Sequence, residues 1–309
     1  MIEGVERLLK YQHGAMATSF EIMIADEDPS FAEGAARAAF EQIDRLEQDL
    51  SRYDPNSDVA RINDLAPGGK VRVSVDTLRC LLLSVEHWKE TGGAFDVTLG
   101  ALMECWVGKD KSMLHPSAEE IDRARERSAM SSLELDESTM TVSVGESVPF
   151  IDLGAIGKGY AVDRAADLLK EWGVSSALVH GGMSSVFAFG SPGQHRGWPV
   201  TISDPDRPQE ILERFVLADE GLGGSGIKKG RHIIDPRSAR PVGGRRGAWV
   251  VSESATRSDA LSTACMVMTV REITRCLGRD PHMRAVVVAG DGGGVLRFGC
   301  AGAAGPASA

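Results

Sequence analysis

The chain has 309 residues, a hydrophobic content of 42%, a charged content of 25% and a formal net charge of -10 at pH 7. This is enough chain for a large core, with a composition ordinary for a globular enzyme. The negative balance argues against a general nucleic-acid or membrane-surface role, since both need a basic face, and no run approaches the roughly 20 apolar residues of a membrane span.

Thr18 to Ala25, with Phe20, Ile22 and Ile24 alternating, reads as a strand. Asp28-Pro29-Ser30 then opens a helix, with Ser30 and Glu33 in capping-box spacing and an apolar stripe of Phe31, Ala35, Ala39, Ile43, Leu46 and Leu50. A second helix is predicted from Asp76 to Glu90, stopping at Gly92-Gly93, and a third from near Ser117 with Glu120 completing its capping box. Leu133-Glu134-Leu135 and Met140 to Val144 suit a hairpin. Val148 to Leu153 reads as a strand that leads into a glycine-rich loop, Gly154 to Gly159, and Tyr160 to Trp172 reads as a helix ended by Gly173. Further strands are predicted at Ser176–His180, Val186–Phe189, Pro199–Ser203 and Ala248–Val251. Asp259 to Met268 is the next helix, followed by a short one at Arg271–Leu277 that Gly278 could cap. Arg284–Ala289 and Val295–Phe298, joined through Gly290–Gly294, form a closing hairpin.

The small-residue tail, residues 301–309, is expected to be disordered. With no repeat and no long linker, residues 1–300 read as one α+β unit of mixed or antiparallel sheets with packed helices, or as two interlocked lobes. Five cysteines, Cys80, Cys105, Cys265, Cys276 and Cys300, are odd in number and lack CxxC spacing. They predict reduced, mostly buried thiols rather than disulfides or a zinc site. The N-terminal stretch shows no apolar leader core, lipobox cysteine or cleavage site, so the chain as written reads as cytoplasmic.

The chemistry concentrates in a few stretches. Asp259 and Thr263, four apart on a helix, would place a carboxylate and a hydroxyl side by side, the hard oxygen ligands that Mg²⁺ prefers. The competing reading makes Asp259 a helix N-cap and Thr263 an interior threonine. Around Gly154 to Tyr160 the spacing is not that of a Walker loop, yet Lys158 among glycines at a helix start suits an anion. Asp152, flanked by Ile151 and Leu153, is either a structural acid or a ligand contact. Gly221-Leu222-Gly223-Gly224-Ser225-Gly226 matches G-x-G-x-x-G, but no helical stripe follows it, so a mobile loop or a backbone contact is expected instead of a dinucleotide fingerprint. His232, just after that stretch and before Ile233-Ile234-Asp235-Pro236, is a general-base candidate, although a lone histidine is often structural. Ser51-Arg52-Tyr53 and Gly93-Ala94-Phe95-Asp96 are polar-aromatic loops that could hold a planar ring, or simply end helices.

Taken in order, Met16-Ala17-Thr18, Ser51-Arg52-Tyr53 through Asn63, Gly93 to Thr98, Asp152 to Ala155 with Lys158-Gly159-Tyr160, Gly181-Gly182, His232 to Pro236 and Asp259 to Thr263 resemble the ApbE-type FAD:protein FMN transferases over nearly the whole chain. The resemblance implies a cation held by the Ala155 carbonyl, the Asp259 carboxylate and the Thr263 hydroxyl. It also implies FAD contacts from Met16, Tyr53, Ala94, Phe95, Asp96, Asp152, Lys158 and the Ile234 region, with His232 as the base. The implied reaction is Mg²⁺-dependent transfer of FMN from FAD to a threonine or serine of an acceptor flavoprotein, with release of AMP. The alternatives are FAD pyrophosphatase activity, giving FMN and AMP, and a non-catalytic FAD-binding homologue. Three departures stand out: Ala17 where the family usually has glycine, Met183 after Gly181-Gly182 where an acid or amide is usual, and Ala239-Arg240 before Pro241.

Overall fold

A computed structural model describes residues 7–108, 110, 112–227, 233–290 and 293–299. Strands β1 (Leu8–Ala15) and β2 (Thr18–Ala25) form a hairpin leading to the long helix α1 (Pro29–Leu50). Next come α2 (Asp58–Asn63), β3 (Lys70–Arg72), α3 (Val75–Glu90), α4 (Gly100–Trp106) and α5 (Ala118–Glu126), then the hairpin β4 (Leu133–Asp136) and β5 (Thr141–Val144). α6 (Gly157–Glu171) precedes β6 (Ala177–Gly181), β7 (Ser185–Phe189), β8 (Trp198–Ser203), β9 (Ile211–Leu217) and β10 (Glu220–Gly226). The chain continues through β11 (Ile234–Asp235), β12 (Arg240–Pro241), β13 (Arg245–Ser252), α7 (Ala255–Val267), α8 (Val270–Leu277), β14 (Arg284–Ala289) and β15 (Val295–Phe298).

Eight of these strands make the central sheet in the order β1-β2-β6-β7-β10-β13-β14-β15, and every neighbouring pair runs antiparallel. Its two faces are covered differently. α6 lies on β6 and β7, α7 on β10 and β13, and α1 packs against α6 and β1. The alternation in β2 explains the division: Phe20, Ile22 and Ile24 point into the core under the helices, while Met23 and Ala25 point to the opposite side. There the β8–β9 hairpin lays Trp198, Ile202, Phe215 and Leu217 over Leu178, Val186, Leu222 and Val251. The architecture is the mixed helix-and-antiparallel-sheet arrangement expected from the pattern.

α1 shows how the local code works. Asp28, not Ser30, is its N-cap, accepting from the Ser30 and Phe31 N–H groups, with Pro29 in the first turn. Its buried stripe is Ala32, Ala35, Ala36, Ala39, Phe40, Ile43, Leu46 and Leu50; Phe31 instead lies at the rim beside Trp172. Each buried Ile or Leu there contributes about 1.5–3 kcal/mol.

Other expectations shift in instructive ways. α5 has the predicted Ser117–Glu120 capping box, and the predicted hairpins at 133–144 and 284–298 pair as expected. Residues 148–153 do not form a strand: Phe150 makes one isolated bridge to Leu99, and the flanking backbone is satisfied by side chains and loops. α6 begins at Gly157, three residues before the expected start, and α7 begins at Ala255, four before. The glycine-rich stretch from Gly221 is no loop but β10, in the middle of the sheet. Cys80, Cys105, Cys265 and Cys276 are free thiols, three of them buried, and Cys300 lies outside the described residues, as do residues 301–309. Among the described residues no helix is long and apolar enough to cross a membrane.

The glycines of β10 have a packing role. A Cβ at Gly221 would stand 2.3 Å from the Ala255 nitrogen, and one at Gly223 would stand 2.2 Å from the Ser258 carbonyl carbon. Bare backbone on this face lets α7 lie directly on the sheet. Gly223→Ala should therefore destabilise the protein by at least about 2 kcal/mol, through overpacking against helix backbone. Gly14→Ala, with nothing within 4 Å of the added carbon, should change stability by less than about 0.5 kcal/mol. Urea melts of the two variants make the comparison, and an unperturbed Gly223→Ala would refute the packing account.

Candidate active site

Two helices meet at the site. Ser254 is the N-cap of α7, its hydroxyl accepting from the Arg257 N–H. From α6, Asp163 accepts from the Ala255 and Thr256 N–H groups at 2.8 Å each and from the Thr256 hydroxyl. Burial pushes the Asp163 carboxyl up to about 6 against these hydrogen bonds. With α7 started this way, Asp259 falls in its second turn and cannot be its cap, and Thr263 follows one turn later.

Asp259 is buried, and its Oδ2 accepts from the Gly159 N–H at 2.9 Å and from the Ser185 hydroxyl at 2.7 Å. In a regular helix Gly159 would give that N–H to the carbonyl four residues back, Ala155. Because it goes to Asp259 instead, the Ala155 carbonyl has no backbone N–H donor among the described residues. The approach is possible because residue 159 is glycine: a Cβ would lie 2.4 Å from the Ala255 carbonyl oxygen. Burial pushes the Asp259 carboxyl up to about 7, although nearby Lys158 and the two hydrogen bonds oppose it. Among the described residues no donor reaches Asp259 Oδ1.

Thr263 Oγ1 lies 2.9 Å from Ser225 Oγ, which is itself 2.9 Å from Ser262 Oγ. Lys158 reaches back to the Gly154 carbonyl at 3.2 Å. No three His, Cys, Asp or Glu side chains gather as a metal set among the described residues. A cation here would rest on one carboxylate plus carbonyl and hydroxyl oxygens, a donor set that suits hard divalent ions.

A second group of loops converges beside these helices. Asp152 Oδ1 accepts from the Gly154 N–H at 2.7 Å, while its Oδ2 lies 2.8 Å from Arg52 Nε, an ion pair outside hydrogen-bond geometry. The Asp152 N–H goes to the Val97 carbonyl, and Asn63 clamps neighbouring Ile151 through both its N–H and its carbonyl. Arg52 also donates to the Tyr53 hydroxyl and stacks on the Tyr53 ring at 4.7 Å. Tyr53 itself is 79% exposed, an aromatic face open to a ligand.

The remaining candidates are placed as follows. Met16, partly buried, lies in the two-residue β1–β2 turn. Ala94 and Phe95 are buried in the core, so they can offer only backbone, and Asp96 is engaged by the Thr98 N–H and hydroxyl. Ile234 is buried against Leu99 and Leu102, again leaving only main chain for a ligand. His232 lies outside the described residues.

Arg52 and Ser225 lie in stretches that the sequence marks, with no role of their own assigned there, and Ser185 lies in none. The roles of Arg52 on Asp152 and Ser185 on Asp259 carry no local signal, because each acts on a partner far away in sequence. Ser225 was hidden inside the glycine stretch. A cavity of about 660 Å³ between α3 and α6 is lined by none of the sequence-predicted site residues, while Tyr53 lines another of about 520 Å³. Chemistry, not volume, locates the site.

The fold is that of the ApbE proteins. The ApbE protein of Thermotoga maritima matches with a TM-score of 0.84 at 28% identity, covering 94% of this chain and 97% of that one. The apo flavinyl transferase ApbE of Pseudomonas stutzeri matches with 0.81 at 25% identity, covering 96% of each. The FAD:protein FMN transferase of Klebsiella pneumoniae is 26% identical over 295 residues, 90% of this chain and 83% of that protein; the Escherichia coli protein of the same name is 27% identical over 260 residues, 78% and 74%. The ApbE family model matches residues 16–287, and the chain belongs to that family.

The site helix is also held from outside. Arg257 of α7 pairs with Glu90 at 2.5 Å, at the C-terminus of α3, where His87 Nδ1 also lies 3.1 Å from Glu90. Burial raises the Glu90 carboxyl, but His87 and Arg257 outweigh it and hold the group at about 2. Its folded value lies below the unfolded 4.5, so the unfolded chain binds more protons and the pair's contribution is lost as pH falls from about 4.5 towards 2. The difference corresponds to about 3 kcal/mol. Glu90→Gln should therefore lower stability by a few kcal/mol at pH 7, and the gap to wild type should close on acidification. Urea melts from pH 7 to pH 3 test this; a gap independent of pH would exclude the charged pair as its cause.

Proposed function

We propose that this chain is a Mg²⁺-dependent FAD:protein FMN transferase, moving FMN from FAD to the hydroxyl of a threonine or serine in an acceptor flavoprotein and releasing AMP. The observation that carries this reading is the junction of α6 and α7, where the Asp259 carboxylate takes the N–H that would otherwise close on Ala155. That exchange leaves the Ala155 carbonyl undonated at the start of α6, while Thr263 follows Asp259 one turn on in α7. The names of the relatives support the same chemistry.

The oxygen set of Ala155, Asp259 and Thr263 fits a hard divalent ion, whose positive charge also answers the desolvation of Asp259. When bound, the ion would neutralise charge on the diphosphate and on the departing AMP. The chain's own residues do the rest. Lys158 supplies a cation at the start of α6, where anions are favoured. Arg52 and Asn63 fix the Asp152 loop, and Tyr53 offers an exposed ring for a planar ligand. Met16, the main chain of Ala94, Phe95 and Asp96, and the Ile234 backbone line the remaining contacts. His232 takes the proton from the acceptor hydroxyl as its oxygen attacks the FMN phosphorus; the bond from that phosphorus to the bridging oxygen breaks, and AMP leaves.

Incubation with FAD, Mg²⁺ and a flavin-accepting protein domain carrying a target threonine should yield a fluorescent acceptor that survives denaturation, with one AMP per flavin. EDTA should abolish the reaction and excess Mg²⁺ should restore it. Asp259→Ala should slow it by at least about 100-fold, the scale seen when one preorganised electrostatic group is removed. AMP with free FMN and an unlabelled acceptor would mark a hydrolase instead. Flavin binding with no AMP under Mg²⁺, Mn²⁺ or Ca²⁺ would sink the catalytic reading.

A further inference from the structure

Three hydroxyls form a chain whose direction can be deduced. Ser262 Oγ lies 2.9 Å from the Asp259 carbonyl oxygen, and a carbonyl can only accept, so the Ser262 proton is committed there. Ser262 Oγ can then take part in its 2.9 Å contact with Ser225 only as an acceptor. That contact uses the single proton of Ser225. The remaining 2.9 Å contact, between Ser225 and Thr263, must therefore have Thr263 as donor.

We infer that Ser225 is a positioning residue: it receives the Thr263 proton and thereby keeps the Thr263 oxygen lone pairs turned towards the ion site. A free hydroxyl rotor would aim its proton at the cation in part of its orientations, and fixing it removes that loss before the ion arrives. The device explains why the run of small residues in β10 contains a serine. Gly221 and Gly223, on the same face of the strand, press against the α7 backbone, and two residues on Ser225 meets the hydroxyls of α7. Ser262 fixes the polarity of the relay from its far end, anchored on the main chain of Asp259 itself.

The inference rests on Thr263 being an ion ligand, and the test separates the two. Mn²⁺ affinity is measured by electron paramagnetic resonance on the full chain for wild type, Ser225→Ala, Thr263→Ala and the double variant, with thermal melting to confirm that each is folded. Thr263→Ala should weaken Mn²⁺ binding more than tenfold. Ser225→Ala should weaken it about five- to tenfold, the worth of one hydrogen bond, and should have no further effect when Thr263 is already alanine. Ser262→Ala removes only the directional anchor and should give a smaller loss than Ser225→Ala. If Ser225→Ala binds Mn²⁺ like wild type while Thr263→Ala does not, or if the two losses add, the relay is wrong and the ligand assignment stands. If Thr263→Ala leaves Mn²⁺ affinity intact, the ion site itself is misassigned and the relay fails with it.

Discussion

One hydrogen bond organises the site: the Gly159 N–H given to the Asp259 carboxylate at 2.9 Å, across 100 residues of chain. The first N–H groups of a helix have no partner within it, and α6 has no side-chain cap of its own at Ile156. Asp259 supplies the missing acceptor from another helix. A carboxylate at a helix N-terminus is favoured by the macrodipole as well as by the hydrogen bond. A second polar bond, from Ser185 at the start of β7, fixes the same oxygen from the sheet side. Asp259 thus ties two helices and a strand together with one oxygen, and its other oxygen takes no bond from the described residues. A structural role and a ligand role are compatible in one side chain because they use different atoms.

That geometry demands unusually close packing, and the small residues supply it. α7 lies on bare strand backbone at Gly221 and Gly223, while α6 crosses α7 at Gly159. A single side-chain carbon at any of these positions would push the helices apart and lengthen the Asp259 contacts. The polar residues between them are hydrogen-bonded to one another or to nearby main chain, Ser225 to Ser262 among them. Ser258, for instance, bonds both Ser252 and the Gly221 carbonyl. Close packing holds these groups in place, and that suits phosphoryl transfer, where positioning and electrostatics do most of the catalysis.

Elements whose information is local were legible in the sequence. α5 could be read from Ser117 and Glu120, and the terminal hairpin from two apolar runs around glycines. Elements whose information is tertiary were not. Glycine disfavours strands, so β10 looked like a loop until the helix that needs its bare backbone was in place. The start of α7 was misplaced because Asp259 resembles a cap, and only the phase fixed by Ser254 makes it an interior residue. Of the candidate ligands, Asp259 and Thr263 are legible as a four-residue spacing, whereas Ala155 enters only through the family resemblance. Their supports, Arg52 on Asp152 and Ser185 on Asp259, are pairs of distant residues whose meeting only the folded sheet creates.

The three departures from the family pattern bear on whether the protein merely binds flavin. Ala17 has φ 55, beside Met16 at φ 49, in a two-residue turn that needs positive φ at both central positions. Alanine thus keeps the backbone that glycine would adopt, at about 1–2 kcal/mol of strain. Ala239, at φ 56, is likewise held in the left-handed region, its carbonyl accepting from the Trp106 indole N–H and its N–H bonded to the Asp235 carbonyl. Met183 is 90% exposed in the turn between β6 and β7. Two of the substitutions therefore alter turns that retain their shape, and the third alters a surface. A protein that had lost catalysis and kept only flavin binding would be free to lose the buried hydroxyls and the carboxylate that crowd α6, α7 and β10. In this chain they are all present and bonded to one another: Asp259 to Gly159 and Ser185, and Thr263 through Ser225 to Ser262.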